Sequence, residues 1–283
     1  ITTDYYQYNN LGAGAVRGAP VSNYYDFRLN SYYGRVNYDY QGKYLVTFTG
    51  RYDGSSKFGF SNKYAFFPYG AVGWIISNEE FFSSTKLVSF LKLRGSYGIT
   101  GNSEINPYSS LGNVGTSTIS LNDQMFIGAV PVSIPNSNLK WEQTAQLDIG
   151  VDLSMFDSRL SLTADYYKKK TTNLLLNVPI STVTGYTTVT TNIGSLQNTG
   201  VELMVNGAIV RNKNFDWNLG VMFSTNKNEI LTLGATNADI YPGPNFLGQT
   251  NILQVGKPIG NFWGFQRTGT WGEHEAAEAA LYG

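Results

Sequence analysis

The chain has 283 residues, no cysteine and a single histidine, His274, and its formal net charge is zero. Disulfide frameworks, cysteine-based metal sites and zinc-binding histidine clusters are therefore excluded, and we expect no cofactor. Charged residues make up only 14% of the chain, against about 25% in an average soluble domain. This composition disfavours nucleic-acid binding, which needs a basic surface.

Residues 1–31 read as a loop, and the first clear pattern is a hairpin from Tyr32 to Asp53. Its two arms of about ten residues alternate between apolar and polar side chains and meet at Gln41 and Gly42, which predicts a β-hairpin. One face carries aromatic and aliphatic residues, and the other carries Arg, Asn, Asp and Thr. Strands of this length and pattern can cross a bilayer with lipid on one side and water on the other.

The same alternation recurs along the chain and predicts about eight strands in total. The later ones are residues 64–76, 91–99, 142–153, 159–167, 201–209 and 215–223. Segments 101–140 and 171–198 are polar and rich in Gly, Ser, Asn or Thr, so we predict long loops there. The chain after Lys227 is also loop-like, apart from a short helix predicted at 274–282.

The predicted connections alternate between short and long, apart from one of intermediate length after Ile76. Short turns lie at Gln41, Asp157 and Arg211, and the long segments fall at the opposite ends of the strands. This asymmetry predicts an all-β fold, a transmembrane antiparallel β-barrel with short periplasmic turns and long extracellular loops. Half-buried strands of a soluble protein alternate as well, so the pattern alone leaves that alternative open.

Several runs of sequence go beyond this pattern. In chain order they are YYGRVNYDYQGKYLVTFTGRYDGSSKFG, FFPYGAVGWIISNEEFF, LKLRGSYGITGN, NLKWEQTAQLDIGVDLSMFDSRLSLTADYYKKKTTNLLL, TGYTTVTTNIGSLQNTGVELMVNGAIV and VGKPIGNFWGFQRTGTW. They resemble blocks of the SusC-like (RagA-type) TonB-linked outer-membrane transporters, and they span most of residues 30–272. Their ordered succession carries the resemblance, since a single piece such as DGSS is unspecific.

The resemblance implies an importer of the bacterial outer membrane, surrounded by outer-membrane lipid, with a barrel of about twenty-two strands plugged by an N-terminal domain. It also implies a SusD-like surface lipoprotein as a lid, energy from TonB–ExbB–ExbD through the plug, and oligosaccharides or peptides as cargo. No plug domain, TonB-contacting segment or closing C-terminal strand is recognisable, and about eight strands cannot close such a barrel. We therefore expect 1–283 to be part of a longer protein, with 1–31 an extracellular loop, 32–226 barrel strands and 227–283 a long extracellular loop.

Charged residues recur on the polar faces of the predicted strands. If lipid covers the apolar faces, these side chains face the lumen, where they would line the transport path or contact the plug. The alternative, which we favour for most of them, is that oppositely charged groups on adjacent strands brace a water-filled wall. The set comprises Arg35, Asp39, Arg51, Asp53, Lys92, Arg94, Glu142, Asp148, Asp152 and Glu202.

The segment from Asn245 to Trp271 combines aromatic rings with Gly, Asn, Gln and Arg. Aromatic faces beside amide groups suit stacking on sugar rings or holding peptides. The equally open alternative is that these rings pack against the lid or neighbouring loops. The candidate residues are Phe246, Phe262, Trp263, Phe265, Arg267 and Trp271.

No pattern in the chain supports bond chemistry. The acids at Glu79, Glu80 and around His274 lack a positioned catalytic partner, and the Gly-rich loops lack the phosphate-binding signature. We therefore expect TonB-dependent import of large nutrients and no enzyme activity. A passive or structural barrel and a secreted β-rich, glycan-binding adhesin remain as alternatives; the adhesin would partition into buffer without detergent, and the passive barrel would lack a plug and a SusD-like neighbour.

Overall fold

A computed structural model describes residues 24–82, 87–234, 236–242, 250–264, 266 and 269 of the chain. Its strands are β1 (Leu29–Tyr40), β2 (Tyr44–Ser55), β3 (Tyr64–Ile75), β4 (Val88–Asn102), β5 (Val114–Leu121), β6 (Gln124–Pro131), β7 (Glu142–Met155), β8 (Leu160–Thr172), β9 (Leu175–Pro179), β10 (Thr188–Asn192), β11 (Ser195–Arg211), β12 (Asp216–Thr232), β13 (Asn251–Ile252) and β14 (Asn261–Phe262). Short 3-10 turns lie at Phe60–Asn62, Ile76–Asn78, Glu80–Phe82 and Thr182–Thr184. Within these residues no helical segment has the length and hydropathy of a membrane span.

Eight strands form one antiparallel sheet in the order β1-β2-β3-β4-β7-β8-β11-β12, which confirms the predicted strands and their number. The strands extend further than the sequence pattern indicates. Leu29 pairs with Ser55 in the first hairpin, and Ser195 pairs with Thr232 in the last one. Backbone pairing continues beyond the alternating residues because the ladder needs amides and carbonyls, whatever side chains they carry.

Three segments predicted as loops contain paired strands, so the prediction was incomplete there. In the segment after Lys227, β13 pairs with β14. β5 and β6 form a separate two-stranded sheet within 101–140, and β9 and β10 form another within 171–198. Asn122 and Asp123 both have positive φ at the β5–β6 turn, a conformation that Asn and Asp tolerate well. β5 and β10 are rich in Ser and Thr, and β6 and β9 are largely apolar on both faces, so these hairpins lack the clear alternation that marks the main strands.

The connections of the main sheet follow the predicted short-long alternation. The β1–β2, β7–β8 and β11–β12 connections contain three or four residues each, at one end of the sheet. The β3–β4 connection at this end has twelve residues. At the opposite end, eight residues join β2 to β3, and the longer segments from β4 to β7 and from β8 to β11 each carry an extra hairpin. In the first turn, Gln41 and Gly42 both have positive φ, and the Lys43 amide donates to the Tyr40 carbonyl at 3.0 Å.

The main sheet has one apolar face, and its aromatic residues gather near both ends of the strands. Tyr44 stacks between Tyr40 and Trp74 near the short turns, with ring centroids 6.4 Å apart in each pair. Near the long loops, Tyr52 stacks on Tyr64 at 5.1 Å. The eight residue-to-residue steps from Tyr44 to Tyr52 span about 27 Å along the strand, which after strand tilt suits the apolar band of about 25 Å between the aromatic girdles of a membrane barrel.

The buried hydrophobic residues lie beneath the long loops at one end of the sheet. Phe58, Phe67, Leu139 and Trp141 form one cluster, and Leu139 is completely buried. The Trp141 ring contacts both phenylalanines, and its indole N–H donates to the Lys63 carbonyl at 2.9 Å. This cluster therefore joins the β2–β3 loop to the segment that leads into β7.

Hydrogen bonds from asparagine side chains connect the same loops to one another. Asn192 accepts from the Lys140 amide at 2.8 Å and donates to the Lys140 and Asn173 carbonyls. Asn62 donates to the Asn138 carbonyl at 3.1 Å. Because these bonds join backbone groups that no strand pairs, they hold the three long loops in one arrangement.

Candidate functional site

The strand register places all ten predicted lumen-facing charges on a single face of the sheet. Directly opposed residues project to the same side, as do residues two apart along a strand. Lys92 lies opposite Asp152, Arg94 opposite Gly150, and Asp165 opposite Glu202. The complete set on this polar face is Arg35, Asp39, Arg51, Asp53, Lys92, Arg94, Glu142, Asp148, Asp152 and Glu202.

Arg94 is the centre of an ion network across three strands of this face. Its guanidinium lies 3.0 Å from an Asp152 oxygen on β7 and 2.7 Å from an Asp165 oxygen on β8. Gly150 occupies the position between them, and a Cβ there would collide with both Arg94 and Asp165. The missing side chain at Gly150 is what lets Arg94 reach across β7, and the network braces the wall.

Most of the other charges also have partners within the wall. Arg35 donates to the Thr49 hydroxyl at 3.0 Å, and Arg51 donates to Asp53 at 2.7 Å. Three carboxylates accept hydrogen bonds from N–H groups: Asp39 from the Gly42 backbone, Glu142 from the Leu175 backbone, and Asp148 from the Gln146 side chain. These contacts support the bracing interpretation for this group.

Lys92 and Glu202 differ from the rest of the set. Neither has a hydrogen bond or an ion pair among the residues that the structure describes. The nearest acidic positions in register are already occupied, since Asp152 and Asp165 both bind Arg94. Among the ten predicted charges, Lys92 is thus the one cation and Glu202 the one carboxylate without such a partner in the described part of the chain.

The polar face has a shallow recess of about 260 Å³ beside Lys92 and Arg94. Thr47, Ser96 and Tyr69 contribute to its lining. A recess of this kind can hold water or a polar group against the wall, but its charged groups of both signs give it no clear preference for an anion or a cation.

Two of the six predicted aromatic-loop contacts lie within the described residues. Phe262 is 90% exposed on β14, which pairs with β13, and Trp263 is half exposed and meets the Tyr241 ring edge-on at 5.3 Å. The other predicted contacts lie outside the described residues: Phe246, Phe265, Arg267 and Trp271. The helix predicted at 274–282 lies outside them as well. An exposed ring at Phe262 is compatible with either stacking on a ligand or packing against a partner.

A set of hydrogen bonds around the Glu79 carboxylate, at the short-turn end of the sheet, was not predicted from the sequence. Glu79 accepts from the Tyr44 hydroxyl at 2.7 Å, from the Trp74 indole N–H at 3.0 Å and from the Lys43 amine at 3.0 Å. Hydrogen bonds from Tyr44, Trp74 and Lys43, in decreasing order, hold the pKa of Glu79 below its ordinary value. The bond to Glu79 raises the pKa of Lys43. Asn78 adds a bond to the Gly42 carbonyl at 2.7 Å, so the β3–β4 connection is fixed to the β1–β2 turn.

The described side chains offer no arrangement for metal binding. No group of three or more His, Asp or Glu side chains in this part of the chain could hold a metal ion. What the arrangement can do is present a polar, charged wall on one face and an apolar, aromatic surface on the other.

Comparisons with known proteins agree with this geometry. The family model described as "TonB dependent receptor-like, beta-barrel" matches residues 1–281. The chain is 41% identical over 272 residues to "TonB-dependent receptor P3" of Formosa agariphila, covering 95% of this chain and 27% of that protein. It is 38% identical over 220 residues to "TonB-dependent receptor SusC" of Bacteroides thetaiotaomicron, covering 75% and 22%.

A solved relative has the same fold. The chain aligns with a protein of the RagAB peptide importer, solved in its 'closed-closed' state, with a TM-score of 0.74 and 32% identity. The alignment covers 83% of this chain and 25% of that one. The chain thus spans about a quarter of the length of the relatives it matches. Proteins of this family are transporters and receptors. The chain therefore belongs to the TonB-dependent receptor-like β-barrels of the bacterial outer membrane, of the SusC and RagA kind.

Proposed function

We propose that this chain forms part of the barrel wall of a TonB-dependent importer of large nutrients, oligosaccharides or peptides. One observation carries the proposal: in a chain of this family, eight strands have a continuous polar face opposite an apolar, aromatic face. The chain performs no bond chemistry in this scheme. A SusD-like surface lipoprotein would cover the long loops, and TonB–ExbB–ExbD would act through a plug domain elsewhere in the protein.

The path of the substrate follows from the two kinds of surface. Cargo would be held between the long loops and the lid, with contacts to the aromatic loop residues Phe246, Phe262, Trp263, Phe265, Arg267 and Trp271. It would then pass along the polar face. Lys92 and Glu202 would meet a solute or the plug, because their charges lack partners in the described wall, whereas Arg94 would keep that wall rigid.

Growth of deletion strains tests the proposal. The parent bacterium would be grown on a panel of single polysaccharides and peptide mixtures, beside strains lacking this gene, tonB or the neighbouring lipoprotein gene. We expect all three deletions to abolish growth on the same nutrient and to spare growth on glucose. Growth that needs this gene but persists without TonB would contradict the proposal and favour a passive barrel.

A further inference from the structure

A cleft of about 490 Å³ lies among the long loops, away from the polar face of the sheet. Its walls come from the turn after β4, the end of β6 and the β9–β10 hairpin. Among the described residues that line it none carries a formal charge, and its polar side chains include Asn106, Asn113, Ser133, Asn177, Tyr186 and Thr188. The volume is within the range of small-molecule sites, which is about 300–1,000 Å³.

The walls of the cleft are fixed by hydrogen bonds that leave several side chains free. The backbone N–H of Asn113 donates to the Ser133 hydroxyl at 2.8 Å, and the Thr190 hydroxyl donates to the Asn177 side chain at 2.6 Å. Asn136 donates to the Thr190 carbonyl at 3.0 Å and joins the segment after β6 to β10. The cleft is therefore largely formed before any ligand arrives, which lowers the entropy cost of binding.

The free groups are amides and hydroxyls. The side chains of Asn106, Asn113 and Thr188 and the Tyr186 hydroxyl make no hydrogen bond to another described residue. An amide side chain can donate and accept at once, so it matches neighbouring hydroxyls on a ligand. The half-buried Tyr186 adds a ring on which an apolar ligand face can stack.

The absence of charge among the described lining residues decides which ligands fit. An anionic group bound there would gain no opposite charge from the described lining residues, so the cleft offers carboxylates and sulfates no electrostatic attraction. A ligand without hydrogen-bonding groups would leave the amides unpaired on binding, which is costly. An uncharged ligand that is dense in hydroxyl groups and has an apolar ring face for Tyr186 matches the lining best.

We propose that this cleft binds a neutral oligosaccharide, held by Asn106, Asn113 and Thr188 with Tyr186 against a sugar ring. The inference rests on the proposed import function and names its cargo as an uncharged glycan, in preference to a uronate, a sulfated glycan or a peptide. The cleft would receive the cargo at the loops, before the cargo reaches the polar face.

The test is binding of the purified full-length protein, in detergent, to an array of neutral, uronate-bearing and sulfated oligosaccharides together with peptides. We expect binding to neutral glycans only. The double variant Asn113→Ala/Thr188→Ala should weaken it about tenfold or more, the effect of two lost hydrogen bonds of about 1 kcal/mol each. The isosteric Asn106→Asp, which keeps the shape of the side chain, should weaken it in the same direction.

Matched controls separate a local effect from misfolding. Asn214→Ala in the β11–β12 turn and Thr118→Ala on β5 change the same residue types outside the cleft lining and should bind like the parent protein. Binding to charged glycans or peptides, no binding to any neutral glycan, or unchanged binding by the cleft variants would each overturn the inference. If growth stays TonB-dependent while the cleft variants bind normally, only this inference fails; if growth is TonB-independent, the import function fails whatever the array shows.

Discussion

Arg94 reaches two acids on two different strands because Gly150 leaves room between them. The side chains of Arg94, Asp152 and Asp165 are only 33%, 29% and 21% exposed, so solvent screens the network less than it screens a surface pair. The Arg94 network therefore links β4, β7 and β8 through side chains, in addition to their backbone pairing.

Replacing Arg94 by Ala should lower the free energy of unfolding by about 1–3 kcal/mol, the range for hydrogen bonds to charged groups. The variant leaves two carboxylates near each other without a cation. Arg35→Ala is the matched control, because Arg35 is exposed and donates only to Thr49; its effect should stay below about 0.5 kcal/mol. Guanidinium unfolding of both full-length variants in detergent measures the difference, and equal effects would contradict the role given to Arg94.

Glu79 gives the turn end of the sheet a defined pH dependence. Its pKa in the folded chain lies below the ordinary value of 4.5, so its contribution to stability is complete above that value and is lost as the pH falls through the lower folded value. The stability difference between the parent protein and Glu79→Gln should therefore be largest near neutral pH and shrink as the pH falls below 4.5. Thermal unfolding across this pH range measures it. A difference that grows on acidification would show that the sign is wrong.

At the scale of elements, successive residues of each main strand face the polar side and the apolar side of the sheet in turn. Phe48 is 54% exposed on the apolar face, and its neighbour Thr47 lies on the polar face, where its hydroxyl donates to Asn37 at 2.9 Å. Position 48 is midway between Tyr44 and Tyr52, and so near the middle of the expected apolar band.

Phe48→Lys should destabilise the barrel by about 2–4 kcal/mol, the cost of a cation at the bilayer midplane. Thr47→Lys is the matched control, because it introduces the same charge one residue away on the polar face and should cost about 1 kcal/mol or less. The measurement is the unfolding free energy of the full-length variants refolded into lipid bilayers. If Thr47→Lys costs as much as Phe48→Lys, the two faces have been assigned wrongly.

The strands themselves were readable from the sequence because alternation is local information. In β7 it runs without a break from Glu142 to Leu153, and one register shift would move every side chain to the other face. The assignment of charges to one face follows from the same rule. The two hairpins β5–β6 and β9–β10 were missed because their strands show little contrast between faces: β5 and β10 are rich in Ser and Thr, and β6 and β9 are largely apolar on both faces.

The contacts within the site could not be predicted, because they join residues that are distant in sequence. Arg94 and Asp165 are 71 residues apart and meet only because β7 lies between their strands with a glycine at the crossing point. Asn62 and the Asn138 carbonyl are 76 residues apart. The loop cleft likewise depends on how three separate segments fold together, and no pattern within any one of them indicates it.

At the scale of the whole molecule, the chain is a wall with loops assembled above it. The main sheet has β1 and β12 as its edges, each paired on one side only within the described residues. Unpaired edges are not tolerated in lipid, so in the membrane these two strands must pair with further strands. The buried cluster around Trp141 and the loop cleft then lie at the end of the wall opposite the short turns.

The most direct test of this account is the accessibility of single cysteines in β2 of the full-length protein in intact outer membranes. The chain contains no cysteine of its own, so each introduced thiol gives an unambiguous signal in this region. We predict that a charged, water-soluble thiol reagent labels positions 47, 49 and 51 and spares positions 46, 48 and 50. Equal labelling of both sets, or labelling of the second set alone, would contradict a polar lumen wall backed by lipid.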